Sequence, residues 1–286
     1  MTINQWPGYM IANEGCFYWG WYVASEMQLF LVIPILVYLL EFKLKGQKCI
    51  ANLLIFAIIC GGVAISFHIL YSNNMAAGLF APQDILIYKL WLNKSYTKFP
   101  SVALGLWLAR LFLEVNEAKL RGPRHFKEYK QASIVGRTWV ALLACATALG
   151  TLGFISIFPL SANKDPPSWS RLRNATFISL SRPAFLLALI CLFYLLFLDY
   201  GLALKRFLAR RFWAVLSRLS YGVYLVFPIV AAQFNSAMSS PLYLTYNEMI
   251  YQMFYNIVSS HLVAVVVYIV LERPIFQCLQ AYSTNK

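Results

Sequence analysis

The stretch "WYVASEMQLFLVIPILVYLL", residues 21–40, decides the fold. At 1.5 Å per residue it covers about 30 Å, the hydrocarbon thickness of a bilayer. Its one formal charge is Glu26, with Gln28 two positions later. A carboxylate placed where hydrocarbon begins needs a reason, because burying it there is costly unless it faces protein or water.

The rest of the chain has the same character. Hydrophobic residues make up 60% of the 286 and charged residues 12%, and mean hydropathy is +0.62. A soluble domain carries about twice that share of charge. This excludes a disordered or nucleic-acid-binding protein in spite of the net charge of +13. Apolar runs long enough to span recur near 21–40, 50–70, 100–116, 134–158, 179–200, 212–235 and 250–271. The expectation is an all-α polytopic membrane bundle of about seven transmembrane helices, forming one transmembrane domain over 1–286. The 100–116 run is the weakest, being short and holding Arg110. No cleavable signal peptide, repeat or soluble domain is apparent.

Lysine and arginine between spans orient such a chain. One set of links, including the N-terminus, holds six basic residues, and the other set, including the C-terminus, holds fourteen. The N-terminus is therefore expected outside or in the lumen, and the C-terminus in the cytosol. The sequons "NKS" at Asn93 and "NAT" at Asn174 fall in the outer links, which is a weak agreement. The six cysteines read as small apolar fillers, with Cys16 alone outside. No metal-binding pattern occurs.

Ionisable groups within spans are the candidate pocket residues. Glu26 and Arg182 sit in the same leaflet, where they either pair or reach separately for the headgroups. Arg110 and Glu114, four residues apart, are expected to pair with each other. In "FWAVLSRLSYGVYLVFPIV" (212–230), Arg218 opens a stripe of Ser217, Tyr221 and Tyr224 on one helical face, and Pro228 is expected to kink the helix. Such a stripe faces protein or water, or forms an interfacial tyrosine belt. Glu272 in "LERPIF" is expected to cap the last span and Pro274 to stop it. The basic link "EAKLRGPRHFKEYK" (117–130) either attracts phosphate or simply reports the positive-inside rule. Gly61, Gly62 and Gly105 read as close-packing positions.

Four stretches together resemble one family. "CFYWGWYVASEMQLFLVIPILVYLL" (16–40) resembles the acyltransferase-3 segment reading Trp-Tyr-Leu-x-x-Asp-Met-Gln-Phe, most closely in the animal branch called nose resistant to fluoxetine. "KSYTKFPSVALGLWLARLF" (94–112) resembles its Tyr-Thr-Arg-x-Pro-x-Tyr-x-x-Gly entry, and 212–230 its Leu-Ser-Arg-Leu-Thr-Tyr-x-x-Tyr-Leu-x-His-Pro segment. "LERPIF" resembles its terminal Glu-x-Pro. Glu26 stands for the usual aspartate, and Phe227 for the usual histidine. The resemblance covers the C-terminal part of the family's domain. It implies that an N-terminal segment with a catalytic histidine and donor-binding arginines is missing, so that the chain is a truncated product or a degenerate paralogue, inactive by itself.

The resemblance further implies transfer of an acyl group, other than an aminoacyl group, from acyl-CoA to a hydroxyl of a lipid, sugar or small molecule. No cofactor is held, and the partners are the bilayer and the acceptor. Pocket candidates are Glu26, Gln28, Arg110, Arg182, Arg218, Tyr221, Tyr224 and Glu272. The alternative is a non-catalytic transporter or lipid-handling protein. A seven-span receptor fits the count but lacks that class's signatures at the third and seventh spans.

Overall fold

The structure is a computed structural model describing residues 20–44, 46–77, 87–133, 138–159, 169–237 and 245–284. Cys16, Lys45 and Lys164, and the starting residues of the 134–158 run, lie outside the described residues. Every regular element described is helical, as the composition predicts. The chain divides into two compact units, residues 1–202 and 203–286.

The first unit holds α1 (Trp21–Tyr38), α2 (Lys48–Ser72), α3 (Phe99–Leu120), the short α4 (Pro123–Ala132), α5 (Thr138–Ile157) and α6 (Arg171–Phe197). A π-helical turn, Leu39–Lys43, continues α1. A second one, Tyr88–Leu92, and a 3-10 turn, Ser95–Lys98, lead into α3. One end of this unit, the first end, holds the starts of α1, α3 and α6. The opposite, second end holds the starts of α2 and α5. After α7 (Leu202–Leu208), the second unit consists of α8 (Arg211–Ala237), α9 (Tyr246–Val267), a π turn (Tyr268–Glu272) and α10 (Arg273–Thr284).

Six helical stretches are long and apolar enough to cross a membrane: Tyr22–Lys43, Lys48–Ser72, Trp139–Ile157, Arg171–Phe197, Arg211–Phe234 and Ile250–Tyr282. The expected seventh, in α3, is a helix of 22 residues. It is long enough, but Arg110, Glu114, Glu117 and Lys119 leave it outside that set. It packs between α2 and α6, both of them in that set.

Lipid tails are as apolar as leucine, so these helices gain little by hiding apolar surface from one another. What holds them is close fit. Ala51 and Ala175 are fully buried, and Ala103, Ser66 and Ser179 nearly so, where α2, α3 and α6 meet. Large apolar side chains such as Phe30, Leu31 and Leu143 point outward. Leu70, Met75, Trp91, Ala175 and Ile178 form one core cluster, and Leu40, Ala51, Ile55 and Ala103 another.

Polar contacts fasten the helix ends. Arg171 donates through Nη2 to the Ser72 carbonyl at 3.0 Å and through Nε to that of Tyr71, and its guanidinium lies 4.3 Å from the Tyr71 ring centroid. It thereby caps the C-terminus of α2, whose last carbonyls have no helical partner. Asn174 accepts from the Ala77 N–H at 3.2 Å and donates to the Trp169 carbonyl at 3.4 Å. Both sequon asparagines are thus structural: Asn174 is 6% exposed and Asn93 1%. Buried amides do not act as surface glycosylation acceptors, so their agreement with the topology falls away.

Two further expectations change. Pro274 does not stop the last span, because the chain resumes as α10 with the proline in its first turn, where its missing N–H costs nothing. Glu272 ends the π turn, exposed, and caps nothing. Pro228, where a kink is expected, lies inside α8. The five described cysteines are free.

Of the three glycines read as packing positions, only Gly62 is one. A Cβ there would lie 2.5 Å from two ring carbons of Pro100, whereas Gly61 and Gly105 face open space. A proline ring cannot swing aside. Gly62→Ala is expected to destabilise the protein by about 1–3 kcal/mol, the usual cost of overpacking. Gly61→Ala should stay within about 1 kcal/mol of wild type. Thermal unfolding of both variants in one detergent checks this, and equal melting temperatures would refute the Gly62–Pro100 contact.

Candidate functional site

The residues between α2 and α3 build the site. Non-helical backbone at a membrane-facing end must find its partners inside the protein. Thr97 does this, donating through Oγ1 to the carbonyls of Trp91 at 3.0 Å and Lys94 at 2.7 Å. The 3-10 turn Ser95–Lys98 then feeds Pro100 into the first turn of α3, a position proline suits. Ser25 of α1 donates to the Asn93 carbonyl at 3.2 Å, and Ser95 donates to the side-chain oxygen of Gln28. Gln28 is therefore an anchor between α1 and this segment.

Two cations stand on the same segment's aromatic surroundings. The guanidinium of Arg182, on α6, lies 4.2 Å from the Trp91 ring centroid. The Lys98 Nζ, itself shielded from solvent, lies 5.8 Å from the Tyr22 ring centroid. Cations are attracted to ring faces, most strongly where water is excluded. Glu26 is exposed on α1. No ion pair joins Glu26 and Arg182 among the described residues. The two share an end of the bundle, as expected, but the partner is a different one. Trp91 occupies Arg182, and Lys98 lies within the electrostatic reach of both charges. Burial first, and Arg182 second, lower the Lys98 proton affinity from the ordinary 10.5 to about 8, while Glu26 pulls it back up.

Lys98 is a site residue that the sequence presents only as a link charge. A signal for it exists: it is the basic residue two positions before the proline that opens α3, in the quoted 94–112 stretch.

The other candidates lie elsewhere. Arg110 is at the second end, 16% exposed, with Nε 3.4 Å from Oε1 of Glu41. The expected Arg110–Glu114 pair is replaced by two interhelical ones, because Glu114 takes Lys48 at 2.9 Å. Arg218, Tyr221, Tyr224 and Glu272 belong to the second unit. Ser217, Arg218 and Tyr221 are exposed and Tyr224 is half-buried, which leaves water and an interfacial tyrosine belt as the surroundings of the stripe within this unit. The α8–α9 seam instead runs through Gly222, whose added Cβ would lie 3.5 Å from Ala264.

A concavity of about 450 Å³ opens at the second end between Lys48, Glu114, Arg121, His125 and Glu128. Its charges are largely spent on one another: Arg121 pairs with Glu117 at 2.5 Å, and His125 faces Glu128 at 3.7 Å. Nearby, Lys119 pairs with Asp199 at 2.8 Å and Lys130 lies 3.7 Å from the Tyr200 ring centroid. Tyr129 contacts Tyr194, and burial followed by that neighbour pushes its hydroxyl above the usual range. In the 117–130 segment, Arg121 and Lys119 are thus compensated by carboxylates, and Lys130 lies on a ring. Among the described residues, no group of side chains could hold a metal ion.

Lys98 gives a direct test. Glu26→Gln removes an attraction and should lower the Lys98 pKa further, whereas Arg182→Ala removes a repulsion and should raise it. The charged lysine is the disfavoured form in the fold, so the unfolded chain binds more protons between about pH 8 and 10.5. From this group, stability therefore rises with pH across that window. Titration of ¹³C-dimethylated lysines by NMR checks the shifts. A Lys98 titrating at the ordinary value, unmoved by either substitution, would contradict the arrangement.

A family model described as an acyltransferase domain matches residues 2–272. No curated protein and no solved structure matches the chain.

Proposed function

The chain belongs to the acyltransferase 3 family, and from that premise we propose that it transfers an acyl group, other than an aminoacyl group, from acyl-CoA to a hydroxyl of a lipid, sugar or small molecule. In that reaction the hydroxyl oxygen attacks the thioester carbonyl and its proton passes to a base. The C–O bond forms, the C–S bond breaks, and the CoA thiolate leaves. The resemblance to the nose resistant to fluoxetine branch belongs to this reading.

The observation that carries it is the cluster at the first end. Glu26 and Lys98 sit near the starts of α1 and α3, and Arg182 lies about three turns into α6, with Lys98 feeling both other charges. Charges are expelled from hydrocarbon unless they serve a pathway or a site. Lys98 and Arg182 offer positive charge to an anionic acceptor. The distribution of six against fourteen basic residues supports placing this end outside or in the lumen, with the C-terminus cytosolic. On that orientation, the more basic side faces the phosphate-bearing acyl-CoA.

A second reading, lipid handling without chemistry, is favoured by two placements. His68 lies exposed on α2, and His261 bonds the Ile257 carbonyl of its own helix at 2.7 Å, so neither supplies the cluster with a base.

Membranes from cells with and without the gene, given labelled acyl-CoA, separate these readings. Transfer predicts an acylated product that depends on the gene. Lys98→Ala and Arg182→Ala should each cut it by about tenfold, the scale of losing one charge-assisted contact to the acceptor. Altered lipid distribution with unchanged thioester consumption would overturn the enzymatic reading.

A further inference from the structure

Two grooves run along α6, one on each side of a ridge made by Thr176, Leu180 and Ala184. The first, about 510 Å³, lies between α5 and α6 and is walled by Phe154, Ile155 and Phe158. The second, about 610 Å³, lies between α2 and α6 and is walled by Ile59, Val63 and Phe67. On α6 they extend from Leu172 to Ala184 and from Thr176 to Leu187. At 1.5 Å per residue each is roughly 17–18 Å long. That is close to half of the ~30 Å hydrocarbon thickness, the depth of one leaflet.

A built polar head stands at the top of the first groove. The Arg173 guanidinium lies 4.2 Å from the Trp169 ring centroid and 5.0 Å from that of Phe158. Stacking fixes the guanidinium plane while leaving its edge N–H groups free to bond oxygens in pairs. Among the described residues no carboxylate pairs with Arg173. Ser170 caps the helix by accepting from the Arg173 N–H at 3.3 Å, and it also lines the groove. The positive end of the α6 dipole adds to the attraction for an anion. Arg171, two residues earlier, is exposed at the same helix start.

We propose that this face of α6 binds a diacyl phospholipid with a net negative headgroup, one acyl chain in each groove and the phosphate on Arg173. Two parallel grooves with one cationic head between leaflet surface and ridge match two tails and one phosphate. A single-tailed amphiphile would leave one groove unused. A zwitterionic lipid would place its own cation beside the guanidinium. The site is separate from the Glu26–Lys98–Arg182 cluster and does not depend on the proposed transfer activity.

Native mass spectrometry of the detergent-solubilised protein tests this by titration with dioleoyl phosphatidic acid, lysophosphatidic acid and dioleoyl phosphatidylcholine. Phosphatidic acid is expected to bind roughly tenfold more tightly than either of the others, the scale of one charge-assisted hydrogen-bonded contact. Arg173→Ala should abolish the preference for phosphatidic acid over phosphatidylcholine. Ala184→Phe, which thickens the ridge into both grooves, should weaken both diacyl lipids while leaving the anion preference. Arg173 is exposed, so its variant is expected to fold, and an unchanged melting temperature in lipid-free detergent confirms that. Phosphatidylcholine binding as tightly as phosphatidic acid, or an Arg173→Ala variant with its preference intact, would reduce the surface to ordinary boundary lipid and overturn the proposal. Equal binding of lysophosphatidic acid would overturn the two-groove assignment.

Discussion

Everything at the first end of the larger unit depends on a short piece of chain that is not an α-helix. Residues 93–98 sit among membrane helices, where an unsatisfied carbonyl or N–H costs several kcal/mol. Thr97 folds back onto two carbonyls, Ser25 reaches the Asn93 carbonyl, and Ser95 engages Gln28. Each bond satisfies a group and attaches a helix. The attachment of α1 at this end is thus largely polar, with its apolar residues left facing lipid. Pro100, set by the same turn, presses on Gly62 and draws α3 against α2. The hydrogen bonds and the close approach form one arrangement, and Arg182 and Lys98 are positioned by it.

The charges differ in their partners between the two ends. At the first end the cations lie on aromatic rings: Arg182 on Trp91, Lys98 near Tyr22, Arg171 on Tyr71, and Arg173 on Trp169. At the second end Lys48, Arg110 and Lys119 are met by Glu114, Glu41 and Asp199, while Lys130 lies on the Tyr200 ring. A cation on a ring keeps its capacity to bind an anion, while a cation in an ion pair has been compensated. By that measure the four ring-held cations of the first end keep their capacity for an anion, and at the second end Lys130 does so while its ion-paired neighbours do not.

The spans were legible because composition over twenty residues leaves little choice in a bilayer, and six of the seven runs are helices apolar enough to cross. Local chemistry was less legible. Arg110 and Glu114 satisfy the i, i+4 rule, yet Glu41 and Lys48 reach them from other helices and win. Neighbours in space compete with neighbours in sequence, and nothing in the spacing announces them. The sequons failed for the same reason: the pattern Asn-x-Ser/Thr says nothing about burial, and both asparagines are used as internal hydrogen-bonding or packing residues. Lys98 shows the converse. Its position in the chain suggested a link charge, and only packing against α1 and α6 makes it a member of the cluster.

The π-helical turn Leu39–Lys43 has a consequence for which lengths of chain this fold accepts. It fits one more residue into a turn than an α-helix would, and Glu41 sits within it, aimed at Arg110. Deleting a single residue there would let the segment relax into an ordinary α turn, which takes up the loss and leaves the chain beyond it turned by only a few tens of degrees. The turn is therefore the place where this fold absorbs a change of one residue in length, and what such a deletion puts at stake is the reach of Glu41 to Arg110, whose Nη1 is already enclosed.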